Sequence, residues 1–135
     1  MRVEYVVPSR LKPHERVDQQ KLAAMAKGIT IEGLQLPVLA DRSTGVILDG
    51  HHRFAALLIL KARRIPVCFV EYHSEDILLD SWSGQTFTKD EVLRRGLAGE
   101  LLPPKTTKHL FRSGHHIAEE LPQVNLTVAK LLELR

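Results

Sequence analysis

An apolar run, Val46-Ile47-Leu48, stops at Asp49-Gly50, and a second apolar pattern begins at once behind it. Phe54, Leu57 and Leu58 recur at helical spacing there, with the small Ala55 and Ala56 between them for close packing. A buried strand that passes through one glycine into a helix commits the chain to an α/β architecture. The residues caught at the junction, His51-His52-Arg53, fall on the first helical turn. Free N–H groups and the positive dipole end lie at that place, so cations there are disfavoured unless an anion is present. Such a terminus is also a ready anion site. Gly50 lets backbone approach a ligand closely, and Arg53 can grip a phosphate with two parallel hydrogen bonds. Asp49 can orient a nucleophile or engage Mg²⁺ through phosphate. The plainer alternative makes Asp49 an N-cap and the basic residues a solvated edge. Three basic groups on one turn favour the anion site.

The rest of the chain supplies a sheet and its covering helices. Val3 to Val7 reads as a strand ended by Pro8, followed by an extended loop to Glu15. Asp18 is a plausible N-cap, although a helix beginning nearer Pro13 also fits. Leu22, Met25, Ala26 and Ile29 recur at helical spacing, and Gly28 and Gly33 mark the exit. Pro37–Ala40 and Val46–Leu48 read as partner strands around a hairpin loop at 41–45. Ile65–Tyr72 is strand-like, and Ile77–Leu79 is a further short strand. Thr88 with Glu91 forms a capping-box pattern for a helix to about Arg95, closed by Gly96. Leu101–His109 reads as a loop, and Val124–Leu134 carries a weak helical pattern. The expectation is one α/β (α+β) domain over residues 1–135, with a small mixed sheet flanked by helices.

Composition narrows the class. No apolar run approaches the ~18 residues of a membrane span; the longest is Phe54 to Leu60. A membrane partner is therefore not expected. The start of the chain carries no signal-peptide pattern, and a single cysteine excludes an internal disulfide, so the expected compartment is cytoplasmic. Cys68 lies in an apolar strand-like run and reads as a small buried hydrophobe. Nineteen Lys and Arg against sixteen Asp and Glu give a net charge of +3, which permits an anionic partner without requiring one. Four of the seven histidines stand in two His-His pairs. Neither pair has a zinc-site spacing, and no metal ligand set is assigned.

The turn Asp49-Gly50-His51-His52-Arg53, behind an apolar strand, resembles the ParB/sulfiredoxin-like superfamily, whose members bind nucleotide phosphates there. Within it the pattern looks like the free L-serine kinases, including the ADP-dependent enzyme of archaea. Three more segments fit that branch in order: Leu11-Lys12-Pro13-His14-Glu15, Ser81-Trp82, and Pro104-Lys105-Thr106-Thr107-Lys108-His109. The archaeal kinases are much longer, with a large insertion between the last two segments, where this chain has about twenty residues. Part of a substrate pocket is then missing or comes from a second copy of the chain, which makes a homodimer a candidate assembly. Sulfiredoxins need a reactive cysteine in this turn, and His51 stands there instead. Partitioning proteins carry a Gly-Glu-Arg-Arg type of turn and a following helix-turn-helix domain.

The resemblance implies a kinase that transfers a phosphoryl group from ADP or ATP to free L-serine, giving O-phosphoserine, with Mg²⁺ held mainly by the nucleotide phosphates. It implies that Glu15 accepts or orients the proton of the serine hydroxyl, and that Asp49 is a second acidic group near the reacting phosphate. Gly50, His51, His52 and Arg53 would hold the phosphates. Lys105, Thr106, Thr107, Lys108 and His109 would form a second phosphate or carboxylate clamp, and Trp82 would line the substrate pocket. Without the resemblance, Glu15 reads as a solvated first-turn residue, 105–109 as a surface loop, and Trp82 as a core or interface residue. His115 and His116 read as exposed surface residues. The rival function is a ParB-like nucleotide-binding regulatory module acting on DNA or a protein, for which Arg63-Arg64 and Arg94-Arg95 allow nucleic-acid contact. A ParB-like nuclease ranks last, because no dense acidic cluster suits two metals.

Overall fold

A computed structural model describes residues 1–135. In chain order the strands are β1 (Val3–Val6), β2 (Val38–Asp41), β3 (Ile47–Asp49), β4 (Ile65–Val70), β5 (Ile77–Ser81) and β6 (Thr107–Phe111). The helices are α1 (Gln19–Glu32), α2 (His51–Ile59), α3 (Lys89–Ala98), α4 (Ile117–Glu120) and α5 (Val128–Glu133), and Pro8–Arg10 forms a 3-10 turn within the expected extended loop. β1, β4, β2 and β3 lie side by side in that order. β2 and β4 are parallel and the other neighbours antiparallel, so the sheet is mixed. β5 and β6 form a separate antiparallel pair.

The sheet is covered on both faces, which is why β2 up to Ala40 and all of β4 are continuous apolar runs. Ile65, Val67 and Phe69 alternate toward one core layer, shared with Leu22 and Ile29 of α1, Phe54 and Leu57 of α2, and Leu131 of α5. Cys68 faces the other layer with Leu39, Leu48, Val92 of α3 and Ile117 of α4. Burial raises the pKa of the Cys68 thiol, which packs as the small hydrophobe expected.

Caps explain most helix boundaries. The Asp18 carboxylate accepts the Lys21 N–H at 2.9 Å, and α1 begins at Gln19. Gly28 lies inside α1, which ends at Gly33. Thr88 accepts the Glu91 N–H at 3.1 Å, but the Glu91 carboxylate turns to Arg95, so only half of the capping box forms. Gly96 does not close α3: it lies within the helix and makes room for Val46, and Gly99 is the cap. The expected loop at 101–109 becomes strand from Thr107 onward, because the polar Thr107, Lys108 and His109 pair with β5.

Residues 11–16 form the connection that matters for the site. The Lys12 N–H donates to Gly45 O and the Ile47 N–H to Lys12 O, both at 2.8 Å. The Leu102 N–H donates to His14 O and the Arg16 N–H to Leu102 O, also at 2.8 Å. The segment is thus held as extended backbone between the β2–β3 hairpin and residue 102. Glu15 is buried by this wedge instead of standing on a solvated helix turn.

Gly45 anchors the wedge. It sits at φ +77°, and a Cβ there would fall 2.0 Å from the Arg10 carbonyl oxygen. Both the left-handed backbone and the contact oppose a side chain. Gly45→Ala is expected to lower the unfolding free energy by about 2 kcal/mol or more. Urea unfolding checks this, and an unchanged midpoint would show that the hairpin does not hold the 11–16 segment.

Candidate functional site

The strand-to-helix turn is closed by Gly50 at φ +98°, the N-cap of α2. Its missing side chain is filled by Arg53, whose Nη2 lies 2.8 Å from where a Cβ would stand. That guanidinium donates to Asp49 Oδ2 at 2.9 Å and to Pro37 O at 3.0 Å, which ties the turn to the start of β2. Asp49 therefore holds Arg53 in place beside the helix N-terminus.

The two histidines of the turn behave otherwise than as the cationic donors the sequence suggests. His51 Nε2 accepts the backbone N–H of His14 at 3.1 Å, and His52 Nε2 accepts that of Asp18 at 3.0 Å. Each neutral ring therefore keeps its proton on Nδ1. Burial, then the neighbouring His14, brings the His51 pKa down to about 3. Burial, then Lys21, also lowers that of His52. The turn thus carries one permanent cation, Arg53, and two imidazoles that brace the backbone on either side of Glu15.

Glu15 is 7% exposed and its carboxylate is almost saturated. Oε1 accepts the Lys105 N–H at 3.0 Å, while Oε2 accepts the Thr107 N–H at 2.9 Å and the Thr107 hydroxyl. Burial alone would raise its pKa. The His14 ring, the neighbouring His51 and the two Thr107 bonds outweigh burial and hold it at about 2, against 4.5 ordinarily. Lys105 sits at φ +51°, a left-handed conformation unfavourable for a side chain. The Glu15 carboxylate stabilises this bend by accepting N–H groups on both sides of Thr106.

The 105–109 cluster is split by this arrangement. Lys105 and Thr107 reach the same cleft as Glu15. The Thr106 hydroxyl donates to Pro103 O at 2.6 Å and is buried away from it. His109 is buried, with Nε2 at 2.8 Å from the Tyr72 hydroxyl; its Nδ1 faces the Leu48 backbone without a well-formed hydrogen bond. Burial, then His14, lowers the His109 pKa to about 3. Lys108 lies 4.5 Å over the ring of Trp82, which is 54% exposed and stands on the cleft wall, not in a core.

A cleft of about 230 Å³ is lined by Glu15, Asp49, Gly50, Arg53, Lys105 and Trp82, among others. It shares Met25, His52, Arg53 and Lys105 with a larger groove of about 560 Å³ that runs along α1 past Ala24, Gly28 and Ile29. His116 also lines the small cleft, its ring 6.2 Å from that of Trp82, instead of lying on open surface. His115 is exposed and pairs with Glu120 at 2.9 Å. The position of His116 depends on a bridge back to Leu110 that no local pattern announces. His14 and Tyr72 support the cleft from behind, and nothing in their spacing along the sequence distinguishes them as site residues.

The mixed sheet with its glycine turn and following helix defines the ParB/sulfiredoxin-like class of fold. The chain belongs to the ParB N-terminal domain family, which residues 1–80 match. It is 33% identical over 81 residues to a ParB-like protein of Sulfolobus acidocaldarius, covering 60% of this chain and 41% of the relative. It is 35% identical over 88 residues to an ADP-dependent L-serine kinase of Thermococcus kodakarensis, covering 60% of this chain and 36% of the relative. The chain thus matches well under half the length of these curated relatives. A solved free serine kinase in complex with ADP shares the fold at a TM-score of 0.81 and 17% identity, over 97% of this chain and 94% of that one.

The buried groups make stability depend on acid. Glu15 is ionised more readily in the folded state, so its contribution is complete above pH 4.5 and is lost as the pH falls to about 2. That shift corresponds to about 3 kcal/mol. His51 and His109 are kept neutral, so their contribution is complete above pH 6.5 and is lost as the pH falls toward 3. Unfolding free energy, followed by urea denaturation against pH, should decline from about pH 6.5 downward and steepen below 4.5. In Glu15→Gln the decline below 4.5 should be shallower. Parallel curves for the two proteins would refute the stated role of the carboxylate.

Proposed function

We propose that the chain binds a nucleoside diphosphate or triphosphate together with free L-serine and transfers one phosphoryl group to the serine hydroxyl, giving O-phosphoserine. One observation carries this reading. An ionised, buried carboxylate, Glu15, lines the same small cleft as Arg53, Lys105 and the N-terminus of α2, and that cleft joins a groove large enough for a nucleoside. The match to serine kinases of two kinds, ADP-dependent and ATP-dependent, supports it.

In this reading the nucleoside lies along the partly apolar groove on α1. Its phosphates pass His52, Arg53 and Lys105 to reach the free N–H groups after Gly50, where the helix dipole favours their charge. The small cleft receives serine between Glu15 and Trp82. Phosphoryl transfer proceeds through a loose transition state, so positioning and charge neutralisation matter more than strong basicity. A carboxylate with a pKa near 2 is a poor early base but a good hydrogen-bond acceptor. Glu15 orients the hydroxyl and takes its proton late, as the serine oxygen bonds to phosphorus and the bond from phosphorus to the leaving nucleotide oxygen breaks. The proton then passes to water. Asp49 acts through Arg53, which it fixes at the turn.

Mg²⁺ fits this site as a companion of the nucleotide. No group of three or more His, Cys, Asp or Glu converges on a cation position, and Glu15 and Asp49 are committed to the 105–107 backbone and to Arg53. The ion would be held on phosphate oxygens, where it neutralises charge that Arg53 and Lys105 only partly offset.

A nucleic-acid-binding module is the second reading, favoured by the match to a protein named ParB-like. Against it, Arg94 and Arg95 are paired with Glu100 and Glu91, which removes one of the two basic pairs as a free cationic patch. A gel shift with a steep salt dependence would favour this reading.

The decisive experiment incubates purified protein with L-serine, Mg²⁺ and either ADP or ATP and looks for phosphoserine. No product with either donor, while nucleotide still binds, would sink the proposal. Glu15→Ala is expected to lower turnover by about 10²–10⁴-fold with nucleotide affinity largely retained. Equal turnover in the variant would remove Glu15 from its role.

A further inference from the structure

Behind Glu15 lies a buried polar chain that the proposed reaction does not use. His14 is fully buried, and both of its ring nitrogens are engaged. Nδ1 stands 2.7 Å from Ile47 O, and Nε2 stands 2.9 Å from the Thr107 hydroxyl. That hydroxyl is in turn bonded to Glu15 Oε2.

These contacts can be counted in protons. A carbonyl oxygen only accepts, so Nδ1 carries a proton. The contact between Nε2 and the hydroxyl needs a second, and the contact between the hydroxyl and the carboxylate needs a third. A neutral imidazole and one hydroxyl supply two. With two protons, a pair of acceptor lone pairs would face each other at 2.9 Å, against a ring that is fully buried.

We infer that the His14–Thr107–Glu15 chain holds one proton beyond neutral side chains, that it resides on His14, and that the resulting imidazolium is the positioning partner of the Glu15 carboxylate through the Thr107 hydroxyl. The Glu15 end is the less favourable place for it, since an ionised Oε2 accepts both the N–H and the hydroxyl of Thr107. The groups facing His14 agree with a single charge. His51 of α2 lies at 4.7 Å between ring centroids and His109 of β6 at 6.2 Å. His51 accepts the backbone N–H of His14 and is neutral, and His109, bonded to Tyr72, is neutral too. Glu15, with Nε2 to Oε2 at 3.5 Å, is the one anion beside the ring. The pair fixes Oε2 and leaves Oε1, which accepts only the Lys105 N–H, with a lone pair for a substrate hydroxyl.

The significance of the pair for turnover rests on the serine-kinase reading, but its existence does not. Nitrogen-15 NMR of histidine-labelled wild-type protein near pH 7.5 tests it without any activity. His14 should show protons on both ring nitrogens, while His51 and His109 show one each. Glu15→Gln, whose amide can itself donate to Thr107, should return His14 to one proton. A singly protonated His14 in the wild-type protein overturns the inference, whether or not the variants fold. If phosphoserine forms, His14→Asn should lower kcat by tenfold or more and change the nucleotide KM less than twofold. Equal kcat would remove His14 as a positioning residue. Absence of phosphoserine in the wild type would count against the reaction and leave the NMR result to decide the pair.

Discussion

The carboxylate of Glu15 joins parts of the chain some ninety residues apart, and much of the site is arranged around that contact. It accepts backbone N–H groups from Lys105 and Thr107, and so draws the start of β6 against the wedge formed by residues 11–16. The wedge is itself held by the β2–β3 hairpin and by residue 102. Removing the charge from this position would do more than delete one hydrogen bond. If the whole carboxylate went, the buried N–H and hydroxyl of Thr107 and the part-buried N–H of Lys105 would lose their acceptor, and the left-handed bend at Lys105 would lose the group that stabilises it. A buried ion usually costs stability unless its hydrogen bonds are complete. Here they nearly are, and the depressed pKa is the thermodynamic expression of that fact.

The same economy governs the helix terminus. Cations on the first turn of a helix are unfavourable when no anion is present. The fold avoids the conflict by using His51 and His52 as neutral acceptors for the backbone of His14 and Asp18. Arg53 meets it by pairing with Asp49 and folding over Gly50. In the proposed function the turn can then receive an anion without carrying an unbalanced charge, while Lys105, just ahead of β6, lines the cleft and Lys108, on β6, lies over Trp82 of its wall. Polar support of this kind is placed from both sheets, which makes their relative position part of the site.

Local pattern made the frame readable. Asp18, Gly33 and Thr88 act as caps through their own side chain or backbone, and the strand–glycine–helix segment folds as its spacing requires. Gly28 and Gly96 misled because a glycine inside a helix looks the same in sequence as one that ends it. Only the packing of Val46 against Gly96 explains the second. β6 was hidden because Thr107, Lys108 and His109 alternate without an apolar face, and the pairing with β5 is what orders them. The site was legible as a set of segments, and the resemblance supplied their grouping. The roles of individual side chains were not legible. That Thr106 turns to Pro103, that His109 meets Tyr72 and that His116 returns to the cleft all follow from contacts between elements distant in sequence.

A carboxylate that is to receive a proton late must stay ionised until the reacting oxygen has become acidic. Burial works against this, because it favours the protonated form. Exposure would keep the charge but admit water that competes for the phosphoryl group. Glu15 resolves the conflict with donors from its own fold: two backbone N–H groups, one hydroxyl and, behind them, the ring of His14. The donors occupy three of about four acceptor positions on the carboxylate. Saturating all of them would leave nothing to hold a substrate, and fewer would let the pKa rise. The position that stays open on Oε1 is therefore a condition of the proposed function as much as the three that are filled.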